Sequence, residues 1–146
     1  MKSKIANASP LLPMMIRKHV VILTLYTIIT LVMTYPLVLN FASAIPGLAG
    51  DATSFVWAMG WMKTALVDLH VNPFHTDYIF YPLGGATQLL WSISLVALVA
   101  IPFQFIFGLV ATHNVFYLAA TVLTAWGTYL LAEEILRNSK LPVSNY

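Results

Sequence analysis

Three long apolar stretches constrain this chain more than any other feature of its sequence. They cover residues 20–41, 89–111 and 115–136, and charged side chains occur in them only at Glu133 and Glu134. About 20 apolar helical residues are enough to cross a hydrocarbon core of about 30 Å. Only 8% of all residues are charged, against roughly 25% in soluble domains. The sequence therefore predicts an all-α, multi-pass protein of the cell membrane with three transmembrane helices.

The first apolar stretch has a competing interpretation as a signal peptide. Ala42-Ser43-Ala44, which follows it, resembles a small-residue cleavage site. The stretch is longer than the roughly 7–15 apolar residues usual in such peptides, and a long leader precedes Arg17. The length favours an uncleaved membrane anchor.

Charge is distributed unevenly on the two sides of the first apolar stretch. Residues 1–19 contain basic side chains and no acidic ones: Lys2, Lys4, Arg17 and Lys18. Residues 42–88 contain three acidic side chains and one basic side chain: Asp51, Asp68, Asp77 and Lys63. Because basic residues flank membrane spans on the cytoplasmic side, we expect a cytoplasmic N-terminus and an external segment 42–88. Three crossings would place the tail, residues 137–146, outside, although its flanking charges do not test this.

Several classes of function find no support in the sequence. The chain has no cysteine, which excludes disulfides and thiolate zinc sites. His70, His75 and His113 show no metal-ligand spacing. Phosphate-loop, dinucleotide-binding, zinc-protease and nucleophile-elbow motifs are absent from the sequence. The basic N-terminal cluster is too small and too close to a span to indicate nucleic-acid binding, so the expected partner of this surface is the lipid bilayer.

The segment between the first two apolar stretches has its own pattern. Residues 51–70 carry an apolar stripe at helical spacing: Phe55, Met59, Met62, Leu66 and Leu69. Polar side chains and two tryptophans lie opposite, which predicts an amphipathic helix lying in the membrane interface. Residues 71–88 contain two prolines, a Gly-Gly pair and four aromatic residues, and they predict irregular structure at the interfacial belt. A short turn is expected at Thr112-His113-Asn114, between the second and third spans.

Asp51 is the first candidate for chemistry. It follows Gly50, opens the predicted helix and lies in the external segment. A carboxylate there could act as a general base towards an acceptor hydroxyl, or hold a divalent cation against a phosphate leaving group. The competing interpretation is an N-cap, a position that aspartate favours.

Three further residues are candidates for substrate binding. Asp77 could supply a second acidic group, although aspartate also bonds its own backbone in turns. Trp57 and Trp61 could stack on a sugar ring, but tryptophan at the headgroup level needs no function.

A resemblance to a known enzyme family rests on these residues together. The basic N-terminus, one span, Gly50-Asp51 and the following Trp57 and Trp61 resemble the start of GT-C fold membrane glycosyltransferases. The loop from Asn72 to Gly84 and the segment from Asn114 to Leu131 look like later parts of bacterial members.

The resemblance implies transfer of a sugar from a polyprenyl-phosphate donor to an acceptor on the external face. It maps the catalytic aspartate onto Asp51, with Mg²⁺ or Mn²⁺ as a conceivable cofactor. Ala52 departs from the second acid seen in some branches, and the three spans are few for such an enzyme. We therefore expect an N-terminal portion or a reduced relative.

Two other classes compete with the glycosyltransferase interpretation. One is a small non-catalytic membrane subunit or assembly protein, in which Asp51 only caps a helix. The other is a fragment of a polytopic transporter. Transporters carry ionisable groups within the membrane, and the middle parts of the three apolar stretches contain none, which lowers that interpretation.

Overall fold

The computed structural model describes residues 11–47, 50–86 and 88–139. The described chain is helical apart from one pair of two-residue strands, so the all-α prediction is confirmed. It divides into two compact units, one built from residues up to 33 and from 120 onwards, the other from residues 34–119. The predictions for Lys2, Lys4 and residues 140–146 lie outside the described residues.

The first unit contains α1, Leu11–Met33, and the C-terminal part of α4, Leu109–Asn138. By length and apolar composition, α1 from Met14 to Met33 and the whole of α4 could each cross a membrane. Most of the large apolar side chains of α1 are exposed. This exposure is expected of helices whose solvent is lipid, since bilayers surround such side chains with hydrocarbon.

Threonine hydroxyls in these helices bond to their own backbone. Thr24 Oγ1 donates to the Val20 carbonyl oxygen at 2.8 Å, and Thr128 Oγ1 donates to the Thr124 carbonyl oxygen at 2.9 Å. Such bonds to the residue four positions earlier satisfy a hydroxyl without water. They make these polar residues compatible with a hydrocarbon environment.

The second unit is organised by the packing of α2, Asp51–Lys63, against α3, Gln88–Phe107. A π-helical segment, Thr64–Asp68, continues α2. The core consists of buried residues from both helices: Ala58, Met59, Trp61, Met62, Ala65, Ala97 and Ala100. The alanines let the two backbones approach closely. Gln104 Nε2 then donates across the interface to the Met59 carbonyl oxygen at 3.1 Å.

The loop between α2 and α3 contains the two strands. β1, His75–Thr76, pairs antiparallel with β2, Gly85–Ala86. The predicted irregular segment thus closes on itself as a short hairpin. Its position beside the end of α2 determines which of its side chains reach that helix.

The helix boundaries differ from the predicted spans. α1 begins at Leu11 and ends at Met33, whereas the first span was predicted over 20–41. The residue before a proline disfavours helical backbone, and Pro36 is followed by a separate 3₁₀ turn, Leu37–Asn40. The basic cluster, predicted as a flank, lies inside α1 because lysine and arginine are good helix formers.

The predicted turn at Thr112-His113-Asn114 is wrong. These residues lie inside α4, and the chain breaks instead at Gly108, whose φ is +77°. Glycine adopts this left-handed conformation without a Cβ penalty and commonly ends helices. The chain therefore breaks at Gly108, because glycine adopts a positive φ with little strain.

The predicted apolar stripe of α2 is only partly correct. Met59 and Met62 are buried, but Leu66 and Leu69 are exposed, and Trp61 of the predicted opposite face is buried. The face that packs against α3 is centred on the small residues Ala58 and Ala65. The location of this helix in the membrane interface remains a prediction.

Candidate functional site

Asp51 is the first residue of α2, but it does not cap the helix. The N-cap is Gly50, whose φ of +115° favours glycine. Thr53 Oγ1 donates to the Gly50 carbonyl oxygen at 2.8 Å and accepts from the Gly50 amide at 3.3 Å. Ser54 Oγ donates to the same carbonyl oxygen at 2.9 Å. The N-cap interpretation of Asp51 is therefore wrong, since Gly50 is the N-cap and its amide donates to Thr53 Oγ1.

The Asp51 carboxylate stands apart from the other four acidic side chains. Each of those lies within 4 Å of a basic group in the pairs Lys63–Asp68, His75–Asp77, Lys18–Glu133 and Arg137–Glu134. Within the described residues, Asp51 makes no hydrogen bond or ion pair and is exposed to the surroundings. A negative charge in the first helical turn is stabilised by the helix dipole. The carboxylate is thus held at a defined place and free to engage a ligand.

The predicted divalent cation has little support from the geometry around Asp51. Among residues 11–47, 50–86 and 88–139 there is no group of three or more histidine or acidic side chains that could hold a metal. Mg²⁺ sites can consist of one or two carboxylates completed by water and substrate phosphates. Asp51 fits only a site of that kind, so metal binding here remains a prediction.

Trp57 and Trp61 form a stacked pair on α2. Their ring centroids are 5.9 Å apart and their planes differ by 3°. Trp61 Nε1 donates to the Pro73 carbonyl oxygen at 2.8 Å, which fixes the buried ring against the hairpin loop. Trp57 is 38% exposed. The pair therefore combines one anchored ring with one accessible ring.

Tyr78 completes this group from the hairpin. Its ring centroid lies 5.3 Å from that of Trp61. Together with neighbouring residues these rings line a cleft of about 320 Å³, which we call the aromatic cleft: Trp57, Gly60, Trp61, Thr64, Tyr78 and Leu109. Aromatic and apolar side chains with a few polar groups are the usual lining of a small-molecule site.

Asp77 precedes the cleft residue Tyr78 in the sequence, but its side chain does not form the turn of this loop. Phe74 donates its amide to Asn72 Oδ1 at 2.9 Å, and Tyr78 donates its amide to Thr76 Oγ1 at 3.1 Å. Asp77 itself is exposed, with Oδ1 3.7 Å from His75 Nε2. The turn role predicted for Asp77 is thus performed by Asn72 and Thr76.

The structure brings together some of the predicted site residues and separates others. Trp57 and Trp61 are in contact, and Asp77 adjoins the cleft residue Tyr78 in sequence. Asp51 lies about 15 Å from Trp61 along the axis of α2, at about 1.5 Å per residue. Tyr78 was missed because only the fold shows which of the loop's four aromatic residues packs on α2.

Comparison of the chain with models of known protein families, with curated proteins and with solved structures found no match.

Proposed function

We propose that this chain forms part of an integral membrane glycosyltransferase. The enzyme moves a sugar from a lipid-phosphate donor to an acceptor on the external face. Two features support the membrane part of the proposal: the length of α1 and α4, and the exposure of their apolar side chains. The distribution of basic residues before and after the first span supports a cytoplasmic N-terminus.

The observation that carries the catalytic part is the free Asp51 carboxylate. Four acidic side chains lie beside basic groups, whereas Asp51 has no such partner in the described chain. A general base must reach the proton it removes, so a carboxylate held by another side chain is less suited to the task. Asp51 lies in the first turn of α2, and its carboxylate bonds to no other side chain of the described residues.

The reaction assigned to Asp51 is a single displacement at the sugar. The carboxylate accepts the proton of the acceptor hydroxyl as that oxygen forms a bond to the anomeric carbon. The bond between the anomeric carbon and the phosphate oxygen breaks, and its electron pair leaves with the lipid phosphate. If Asp51 instead held a divalent cation, that cation would neutralise the developing charge on the phosphate, as an alternative to the general-base role.

The aromatic cleft contributes binding of a more distant part of the substrate. Sugar rings present C–H groups that pack on aromatic faces, while their hydroxyls bond to polar side chains such as Thr64. Trp57 and Trp61 lie about 9 Å and about 15 Å from Asp51 along the axis of α2, so the cleft extends beyond the reacting ring. A second sugar unit of the donor or acceptor is the ligand that this separation favours.

The test is the Asp51→Asn variant in the complete protein. Asparagine retains the size of the side chain, and the hydrogen bonds of Thr53 and Ser54 with Gly50 do not involve the Asp51 side chain. General-base catalysis contributes about 10²–10⁴-fold in rate. Sugar transfer measured in membranes at matched expression should fall by that factor.

Asp77→Asn is the matched control, since it removes an exposed carboxylate from the same external segment. Its transfer rate should stay within a few-fold of the natural protein. Normal transfer by the Asp51→Asn protein would contradict the proposal. That result would remove the residue-level argument for an enzyme.

A further inference from the structure

The polar end of α1 meets the polar end of α4. Lys18 Nζ donates to Glu133 Oε1 at 2.6 Å and lies 5.5 Å from the centre of the Tyr129 ring. The His19 ring packs edge-on against Trp126 and Tyr129, with centroid distances of 6.1 and 6.5 Å. Residues near the start of α1 are thus in contact with residues near the end of α4.

These contacts lie at the boundary of each apolar run. The apolar run of α1 begins directly after His19, and that of α4 ends directly before Glu133. The Lys18 and Glu133 side chains keep 48% and 42% of their surface exposed. Charged groups avoid the centre of a bilayer, and long side chains reach back to its surface. The ion pair therefore marks one membrane surface, from which both apolar runs depart.

We propose that α1 and α4 cross the membrane in opposite directions, with residues 11–19 and 133–139 on the same side. This inference rests on the membrane part of the proposed function and deepens it. Because the chain that follows α1 continues on the far side of the membrane, Asp51 is expected on the face opposite to residues 11–19, as the charge distribution also predicts. It replaces the odd number of crossings predicted from the three apolar stretches by an even number.

The second helix limits that even number to two. Between Asp51 and Lys63, the uncharged part of α2 covers residues 52–62. This part is about 17 Å long, much shorter than a hydrocarbon core of about 30 Å. Since α2 stays on the side where α1 arrives, and α4 leaves from that side, α3 also begins and ends there. In this arrangement α3 forms no crossing.

Single cysteines test this arrangement, because the natural sequence has none. Ser3→Cys and Ser139→Cys probe the two polar ends, and Ser43→Cys and Leu83→Cys probe the segment between α1 and α3. Ser43, Leu83 and Ser139 are exposed, Leu83 by 88%. In sealed vesicles of known orientation, an impermeant thiol reagent should label Ser3→Cys and Ser139→Cys from one side. It should label Ser43→Cys and Leu83→Cys from the other side.

Either of two results would overturn the inference. Labelling of Ser139→Cys from the same side as Ser43→Cys would show an odd number of crossings. Labelling of Leu83→Cys from the same side as Ser3→Cys would show that α2 crosses. These variants leave Lys18 and Glu133 unchanged, so their outcome does not depend on tolerance of substitutions in the ion pair.

Cross-linking provides the second measurement. A short bifunctional thiol reagent should join the cysteines of a Lys18→Cys, Glu133→Cys double variant within one chain. The matched control is Met33→Cys with Glu133→Cys, which places one cysteine at the opposite end of α1. A control that cross-links as well as the first pair would contradict the proposed contact.

Failure of this inference differs from failure of the proposed function. The predicted labelling pattern in a protein that transfers no sugar would remove the enzymatic proposal alone. Release of the chain from membranes by alkaline carbonate would overturn both.

Discussion

At the scale of single residues, helix capping and chemistry are separated at the start of α2. Gly50 supplies the backbone conformation, and Thr53 and Ser54 supply the hydrogen bonds. Asp51 then contributes only a charge at the helix end, so its substitution should change the stability of the fold little. In the aromatic cleft, by contrast, one residue has both a structural and a functional position. Trp61 is a buried core residue and also lines the cleft.

Trp57→Ala tests the cleft without removing a core residue. Aromatic contacts contribute about 0.5–1.5 kcal/mol beyond area burial, and about 1.4 kcal/mol corresponds to a factor of ten in affinity. If the cleft holds a sugar unit, KM for the saccharide substrate should rise roughly two- to tenfold with kcat little changed. Trp57→Phe should recover much of the loss.

Trp91→Ala is the control for this prediction. Trp91 is 68% exposed, packs on Phe74 with ring centroids 4.7 Å apart, and does not line the cleft. Equal effects of Trp57→Ala and Trp91→Ala would indicate a general disturbance of exposed tryptophans. The cleft would then have no role in binding.

At the scale of helices, apolar runs predict where helices exist better than where they end. α1 extends beyond its apolar run at the start and stops before its end, because Pro36 and the helix-forming basic cluster decide its limits. Asn114 was predicted in a short turn between the second and third apolar stretches. Its actual role depends on carbonyl groups some 70 residues earlier, which no local pattern reveals.

Asn114 is expected to hold the chain after α1 against α4. It is fully buried, and its Nδ2 donates to the carbonyl oxygens of Phe41 and Ala44, both at 2.7 Å. Asn114→Ala leaves these acceptors without their donor, and an unsatisfied buried polar group costs about 1–3 kcal/mol. The free energy of unfolding in detergent should fall by about that amount.

Asn138→Ala removes an exposed asparagine whose Nδ2 donates to Glu134 Oε1, and it serves as the comparison. Surface substitutions of this kind usually change stability by less than about 0.5 kcal/mol. Similar losses for the two variants would mean that the Asn114 hydrogen bonds do not stabilise the fold.

At the scale of the whole molecule, apolar composition predicts a membrane environment but not the number of crossings. Three runs of sufficient length predict three spans. The even number that we propose rests instead on a contact between Lys18 and Glu133, which are 115 positions apart. The candidate site, too, could be predicted from the sequence only in part. Residue types and spacing identified Asp51, Trp57 and Trp61, whereas the contribution of Tyr78 depends on tertiary packing.

The orientation of the molecule should depend on the basic residues at its N-terminus. Basic flanks set membrane orientation, while acidic residues contribute little. In intact cells, an impermeant thiol reagent should label Ser43→Cys in the otherwise natural chain. Replacing Lys2, Lys4 and Arg17 by glutamine should lower the labelled fraction, since the charge difference across the first span is reduced. Lys18 is retained so that its ion pair with Glu133 persists.

The matched control replaces Asp68 and Asp77 by asparagine, which removes acidic charge from the external segment. Its labelled fraction should stay close to that of the chain with only Ser43→Cys, because acidic residues have little influence on orientation. Labelling is compared at equal amounts of membrane-inserted protein, so reduced insertion does not mimic inversion. An unchanged fraction after loss of Lys2, Lys4 and Arg17 would contradict the cytoplasmic assignment, and with it the external location of Asp51.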